Sequence, residues 1–312
     1  MNPAAIATLQ QHLLRAFADL PPEARRLFHG RGRQWPGLEQ ITVDWLQGVL
    51  LVSLFREPDE AELAELRRML LALGDSPAWA ASGAAHLLLQ HRYRADSATD
   101  YLLGAPLERH EIDEDGLRYL LDFGRKQNCG LFLDMRLGRR WLREQAGGRR
   151  VLNLFAYTCG FSVAAIAGGA ERVVNLDMSR PALSRGRDNH RLNGHDLSRV
   201  GFLAHDLFNS WGRLRREGPH ELIVVDPPSF QKGSFVLTRD YAKILRRLPE
   251  LLTPGGQVLA CCNDPGLTPD FVIAEAAREA PQLHYRQRLD NPPEFADIDP
   301  DRALKVLLFA VD

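Results

Sequence analysis

From residue 138 onward the sequence repeats one rhythm, a short apolar run followed by a helical stretch, and that rhythm leaves few folds open. The runs VLNLFAY, RVVNLD, VGFLAHD, ELIVVD and GQVLACC alternate with helical stretches. These begin at Phe161, run from Arg180 to Leu192, and lie near Leu207 to Arg216, Asp240 to Leu252 and Pro269 to Ala280. Strands this apolar cannot leave either face in water, so they require a parallel sheet covered by helices on both sides. The final runs, LHYRQRL and ALKVLLFAV, have no helix between them, so the sheet closes on a hairpin that inserts one antiparallel strand.

The first part of the chain has a different pattern. Ile6, Leu9, Leu13 and Phe17 recur at helical spacing until Pro21 and Pro22 end the helix. ITVDWL and VLLVSLF flank Gln47-Gly48 as a hairpin, and Asp59 with Glu62 forms a capping box. That box opens a helix carrying Leu63, Leu66, Leu70 and Leu73, which Gly74 is expected to stop. HLLLQHRY, LERHEI and LRYLLDF follow as short strands, the last two around a Glu114-Asp115-Gly116 turn. The reading is α/β throughout. A smaller N-terminal domain spans residues 1–125, and a doubly wound domain spans 126–312.

A chain of 312 residues with 45% apolar content can bury two cores. No run approaches the roughly 20 apolar residues that cross a bilayer, and the N-terminus lacks a basic-then-apolar export signal, so a cytoplasmic protein with no membrane partner is expected. Cys129, Cys159, Cys261 and Cys262 make neither a disulfide framework nor a zinc-ligand spacing, and no metal is expected. A net charge of −1 excludes a protein that grips nucleic acid over its whole surface. Any RNA contact is local, and the arginines do bunch: Arg25, Arg26, Arg31 and Arg33; Arg136, Arg139, Arg140 and Arg143; Arg239, Arg246 and Arg247.

Ligands of open α/β sheets sit at the carboxyl ends of the strands, where the strand order reverses. After the first strand comes the turn Asn153-Leu154-Phe155-Ala156-Tyr157-Thr158-Cys159-Gly160, leading into Phe161, with a single glycine. A dinucleotide pyrophosphate needs three glycines there, whereas the phosphate-free, cationic S-adenosylmethionine does not, which favours methyl transfer over hydride transfer. Asp177, followed by Met178, ends the second strand, placed to accept from ribose hydroxyls. Asp206, followed by Leu207, ends the third, placed to accept from an adenine amino group. Taken alone, each aspartate also reads as a helix N-cap.

The sharpest motif is Asp226-Pro227-Pro228-Ser229-Phe230, directly after LIVV. Two prolines fix the turn, so a carboxylate and an aromatic ring are presented rigidly: one to hydrogen-bond a planar nitrogenous base, the other to stack on it. A nitrogen nucleophile needs little beyond orientation, whereas methylating cytosine C5 requires a cysteine thiolate. Along Ala260-Cys261-Cys262-Asn263, Cys261 and Asn263 share a face, and both cysteines also suit a buried apolar strand. A second double-proline segment, Asn291-Pro292-Pro293-Glu294-Phe295, reads as a rim loop.

Several segments together resemble the bacterial 23S rRNA methyltransferases: Gly30-Arg31-Gly32-Arg33-Gln34-Trp35-Pro36-Gly37-Leu38, Asp115-Gly116-Leu117, Gly130-Leu131-Phe132-Leu133-Asp134-Met135-Arg136, NLFAYTCGF, Asp177-Met178-Ser179 and DPPSF. The similarity runs from about residue 26 to the end. It implies a Rossmann-like class I methyltransferase sheet of seven strands, the last antiparallel, behind a small α/β domain. It also implies that Phe132, Asp134 and Arg136 reach over S-adenosylmethionine, and that the substrate is RNA, 23S rRNA or a large-subunit precursor. The cytosine-modifying member carries its nucleophilic cysteine where this chain has Asn263, and the guanine-modifying member has asparagine there, which points to a nitrogen target. The cytosine enzyme's N-terminal PUA domain is expected to be lacking, and the chain is expected to act as a monomer or homodimer. Two alternatives remain at this level: a methyltransferase of a protein or small molecule, and a non-catalytic RNA-binding assembly factor.

Overall fold

The computed structural model describes residues 1–312 except 124–126 and 232. The chain divides into two compact units, Met1–Leu133 with Pro293–Asp299, and Asp134–Pro292 with Pro300–Asp312. The domain boundary expected at residue 125 lies outside the described residues.

In the smaller unit, α1 (Pro3–Phe17) starts where the Asn2 side chain accepts the Ala5 N–H, and it buries Ile6, Leu9, Leu13 and Phe17. β1 (Arg25–His29), β2 (Ile41–Trp45), β3 (Val49–Leu54), β4 (His86–His91) and β5 (Thr99–Leu103) pair in chain order. β2 and β3 are antiparallel, and Gln47 and Gly48 turn between them with φ of 51° and 98°, the primed-turn geometry that matches strand twist. α2 (Glu60–Gly74) opens on the complete Asp59–Glu62 capping box. The helix stops at Gly74 as expected, but not by a left-handed glycine cap: the cap is Asp75, in right-handed geometry, and a Cβ on Gly74 would stand 2.2 Å from Leu103 Cδ1, so the missing side chain serves close packing. Ser76 then caps α3 (Pro77–Ser82), and β4 returns parallel to β3. β6 (Arg109–Glu114) and β7 (Leu117–Asp122) form a separate ribbon that turns at Asp115 and Gly116.

The larger unit starts with α4 (Arg136–Gln145), which the sequence pattern did not reveal because its arginines mask a narrow buried stripe ending at Leu142. The expected alternation follows: β8 (Arg150–Leu154), α5 (Gly160–Ala167), β9 (Arg172–Asp177), α6 (Arg180–Leu192), β10 (Val200–Ala204), α7 (Trp211–Glu217) and β11 (His220–Val225). A short pair, β12 (Phe230–Gln231) and β13 (Phe235–Val236), precedes α8 (Leu237–Leu245), and β14 (Leu252–Cys262), α9 (Pro269–Glu279), β15 (Leu283–Leu289) and β16 (Lys305–Val311) complete the unit. α8 stops short of Leu252 because Pro249 cannot continue a helix, and β14 begins earlier than its apolar run.

Among the described residues the sheet order is β10-β9-β8-β11-β14-β16-β15, parallel except for β16, which is antiparallel to both neighbours. One face carries Leu152, Leu154, Ile223 and Val225 against Tyr241 and Ile244 of α8 and Val272 of α9. The other carries Val151, Val173, Val224 and Leu259 against Leu142 of α4 and Phe161 of α5. No helix among the described residues is long and apolar enough to cross a membrane.

Candidate active site

Because β8, β9, β10, β11 and β14 are parallel, their carboxyl ends share one edge of the sheet. Leu154 lies opposite both Leu176 and Val225, and Val225 opposite Ala260. The next residues, Phe155, Asp177, Asp226 and Cys261, therefore form one row along that rim. The strand order reverses between β8 and β11, so the row spans the crevice where such sheets bind ligands.

The turn after β8 adopts left-handed backbone without glycine: φ is 58° at Phe155, 47° at Tyr157 and 63° at Cys159. Each such residue costs about 1–2 kcal/mol, so the surroundings must hold the turn in place. Asp177 supplies part of that hold, its carboxylate accepting the N–H of Tyr157 at 2.8 Å and that of Ser179 at 2.8 Å. Burial pushes its acid strength down, and the two backbone donors work against that shift. Asn189 of α6 donates to the Thr158 carbonyl at 3.0 Å. A Cβ on Gly186 would stand 2.3 Å from Cys159 Sγ, so α6 reaches the turn only because residue 186 has no side chain. Gly186 and Asn189 were not foreseen, since a glycine within a helical run reads in sequence only as a propensity penalty.

Some expected cofactor residues point elsewhere. Asn153 is buried and donates to Asn175 Oδ1 at 3.0 Å. Asn175 in turn donates to Ser162 Oγ at 2.9 Å, and Ser162 meets His190 Nε2 at 2.9 Å. Its side chain thus belongs to a polar chain beneath the turn. The Phe161 ring faces Gly138 of α4, and Leu207 is buried, so their side chains form floor and not rim. Asp206 caps a 3₁₀ turn, Oδ1 accepting from Phe208 N at 2.7 Å and Asn209 N at 3.3 Å, the N-cap role that a lone aspartate allows. Gly160 is the first residue of α5, Met178 is exposed beside Asp177, and Phe155 packs edge-on to Phe235. Phe132 belongs to the smaller unit and is exposed, while Asp134 and the buried Arg136 open the larger one. An adenosyl group needs acceptors for its hydroxyls and no phosphate cradle, and Asp177, at the end of β9 one strand from the switch point, carries an acceptor of that kind.

On the other side of the switch point, Asp226 follows β11. Its carboxylate accepts no hydrogen bond among the described residues, and burial, with the Asp134 charge nearby, pushes its pKa up to about 7, with Arg139 opposing. Pro227 is buried and Pro228 exposed, so the turn is anchored at one residue and open at the next. Phe230 projects with 65% of its surface exposed. Ser229 Oγ donates to the Asn263 carbonyl at 3.0 Å, which ties the proline turn to the end of β14. Lys305, fully buried at the start of β16, donates from Nζ to the Asp264 carbonyl at 2.6 Å and fixes the same corner. Cys261 and Cys262 are buried in the cores on opposite faces of the sheet, and burial pushes both thiols up. Asn263 is exposed.

Residues 25–310 match the family model described as S-adenosylmethionine-dependent methyltransferase. The chain is similar to proteins named ribosomal RNA large subunit methyltransferase I. With that of Aeromonas salmonicida it is 37% identical over 56% of this chain and 46% of the relative. With that of Erwinia tasmaniensis it is 32% identical over 86% of this chain and 70% of the relative. The first of these matches thus spans under half of the relative's length. Among solved structures, a SAM-dependent methyltransferase from Streptococcus mutans superposes with a TM-score of 0.86 at 25% identity, covering 99% of this chain and 81% of that one. A methyltransferase structure holding S-adenosylhomocysteine gives a TM-score of 0.85 at 25% identity with the same coverage, 99% and 81%. Sheet order, switch-point rim and family match agree: the chain belongs to the S-adenosylmethionine-dependent methyltransferase family.

Proposed function

We propose that this enzyme methylates a base of large-subunit ribosomal RNA, at a nitrogen of guanine and not at C5 of cytosine. The similarity to relatives named for large-subunit rRNA supports the substrate class. The observation that carries the nitrogen assignment is the state of Cys261. A C5 enzyme needs an accessible thiolate, whereas the Cys261 thiol, although its backbone stands in the rim row, is buried and held protonated, and the exposed residue beyond it is Asn263.

In this reading Asp177 and Met178 hold the ribose side of the cofactor, Asp206 the adenine side, and the turn from Phe155 to Gly160 the methionine side. The bound cofactor supplies an electrophilic methyl group, and the chain's own residues supply alignment. Asp226 accepts from the amino edge of the base, Phe230 covers its face, and Asn263, tied to Ser229, lines the remaining wall. Pro227 and Pro228 keep the carboxylate and the ring at fixed separation. An rRNA substrate places the reaction in the cytoplasm.

The test is methyl transfer to protein-free large-subunit rRNA followed by nucleoside mass spectrometry, with a parallel incubation on 5-fluorocytosine-substituted RNA. A methylguanosine product with no covalent adduct is expected. A Cys261 adduct would overturn the nitrogen assignment, and methylation of protein with none of RNA would overturn the substrate.

A further inference from the structure

We infer that one edge of the five-stranded sheet in the smaller unit is a docking surface for the sugar-phosphate backbone of RNA, carried by Arg31, Arg92 and Arg94. The inference rests on the RNA substrate proposed above and extends it to a surface distinct from the methyl-transfer rim.

The register assembles the surface. His29 lies opposite Thr42, Thr42 opposite Ser53, Ser53 opposite Gln90, and Gln90 opposite Thr99, so one row crosses the whole sheet. β1, β3 and β4 run in the same direction, and beyond this row they release Gly30-Arg31, Phe55 and Arg92-Tyr93-Arg94 from the same edge. The side chains then interleave. The guanidinium carbons of Arg31 and Arg92 lie 4.2 and 4.9 Å from the Phe55 ring centre, and that of Arg94 lies 5.5 Å from the Tyr93 ring centre.

A solvated basic face would spread its charges and leave their side chains free. Here the cations are gathered and held. Arg92 also donates to the neutral amide of Asn128 at 2.9 Å, and no carboxylate bridges it among the described residues. Of the acids on this side of the unit, Asp44 pairs with Arg26 at 2.5 Å and Asp297 with Arg33 at 2.7 Å. The crowding registers on neighbouring groups: burial, then Arg26 and Arg31, push His29 down to about 3, and burial with Arg31 and Arg26 lowers Arg92. Planar, weakly hydrated guanidiniums stacked on rings are already positioned for phosphate oxygens, and a polyanion relieves their mutual repulsion. In a chain of net charge −1, such a patch supplies local grip without general affinity for nucleic acid.

The test is filter binding of protein-free large-subunit rRNA to the full chain from about 50 to about 200 mM salt, comparing wild type with the Arg31→Ala/Arg94→Ala double variant and with Arg92→Ala. Each lost phosphate contact should reduce the slope of log K against log salt by about 0.7 to 0.9, and the double variant should bind about tenfold more weakly at physiological salt. S-adenosylmethionine affinity, measured by calorimetry, should stay unchanged and shows that the variants fold. If wild type methylates the RNA while both variants keep its affinity and salt slope, the docking surface is wrong and the function stands. If wild type neither binds nor methylates RNA, the proposed function fails and this inference falls with it.

Discussion

The carboxylate of Asp177 and the backbone N–H of Tyr157 meet at 2.8 Å, which joins the end of β9 to the left-handed turn that follows β8. One side chain thereby shapes the turn, and in the proposed function its remaining lone pairs accept from the cofactor.

Replacing Asp177 by alanine removes both services. The dissociation constant for S-adenosylmethionine should rise about 30- to 100-fold, the loss of roughly 2–3 kcal/mol expected when hydrogen bonds to a charged acceptor disappear. Titration calorimetry reads this directly, and an unchanged constant would show that the turn stands without Asp177.

Asp226 yields a pH prediction. Its pKa rises from 3.8 to about 7, so the folded state binds a proton that the unfolded chain has released, and stability falls between about pH 4 and pH 7 as that proton is lost. Asp226→Asn should therefore melt higher than wild type at pH 7 and above, by about 1–3 kcal/mol after discounting for partial solvent access, and equally at pH 4. Methyl transfer by wild type should climb through pH 7 as the acceptor ionises, and Asp226→Asn should lose that rise along with most of its rate. A melting temperature below that of wild type at pH 8 would contradict the account.

Cys261 and Asn263 part company under substitution. Cys261→Ala should keep kcat within about twofold and lower stability by about 1 kcal/mol, the cost of a small buried void. Asn263→Ala should instead raise KM for RNA while leaving cofactor affinity alone. Loss of all turnover in Cys261→Ala, with the cofactor still bound, would restore the thiol as nucleophile.

Gly186→Ala sets a methyl group against Cys159 Sγ at 2.3 Å. The helix and the turn must separate, so about 1–3 kcal/mol of stability and part of the cofactor affinity should go together. Denaturant melts with and without S-adenosylmethionine measure both, and a variant as stable and as tight as wild type would mean α6 does not brace the turn.

What could be read from the amino acids follows physical type. The alternation of apolar runs with helices, the closing hairpin and the Asp59 capping box are local or periodic signals, and each reappears in the structure. DPPSF was legible because prolines restrict the chain wherever they stand. Side-chain direction was less legible. Asn153 and Phe161 sit in the turn segment by sequence, yet the pleat and the helix phase send them to Asn175 and Gly138. α4 hid behind its arginines, and Lys305 gave no signal because a buried lysine depends on a carbonyl 41 positions away in the chain.

The segment Pro293–Asp299 lies near the C-terminus yet belongs to the smaller unit: Gly32 accepts the Ile298 N–H at 3.0 Å, Arg33 bridges Asp297, and the Arg26 guanidinium covers Phe295. During synthesis, then, the N-terminal unit emerges first but finishes late. Its GRGR loop waits without its partner until nearly the whole catalytic sheet has left the ribosome, and no single cut in the chain can free either unit intact.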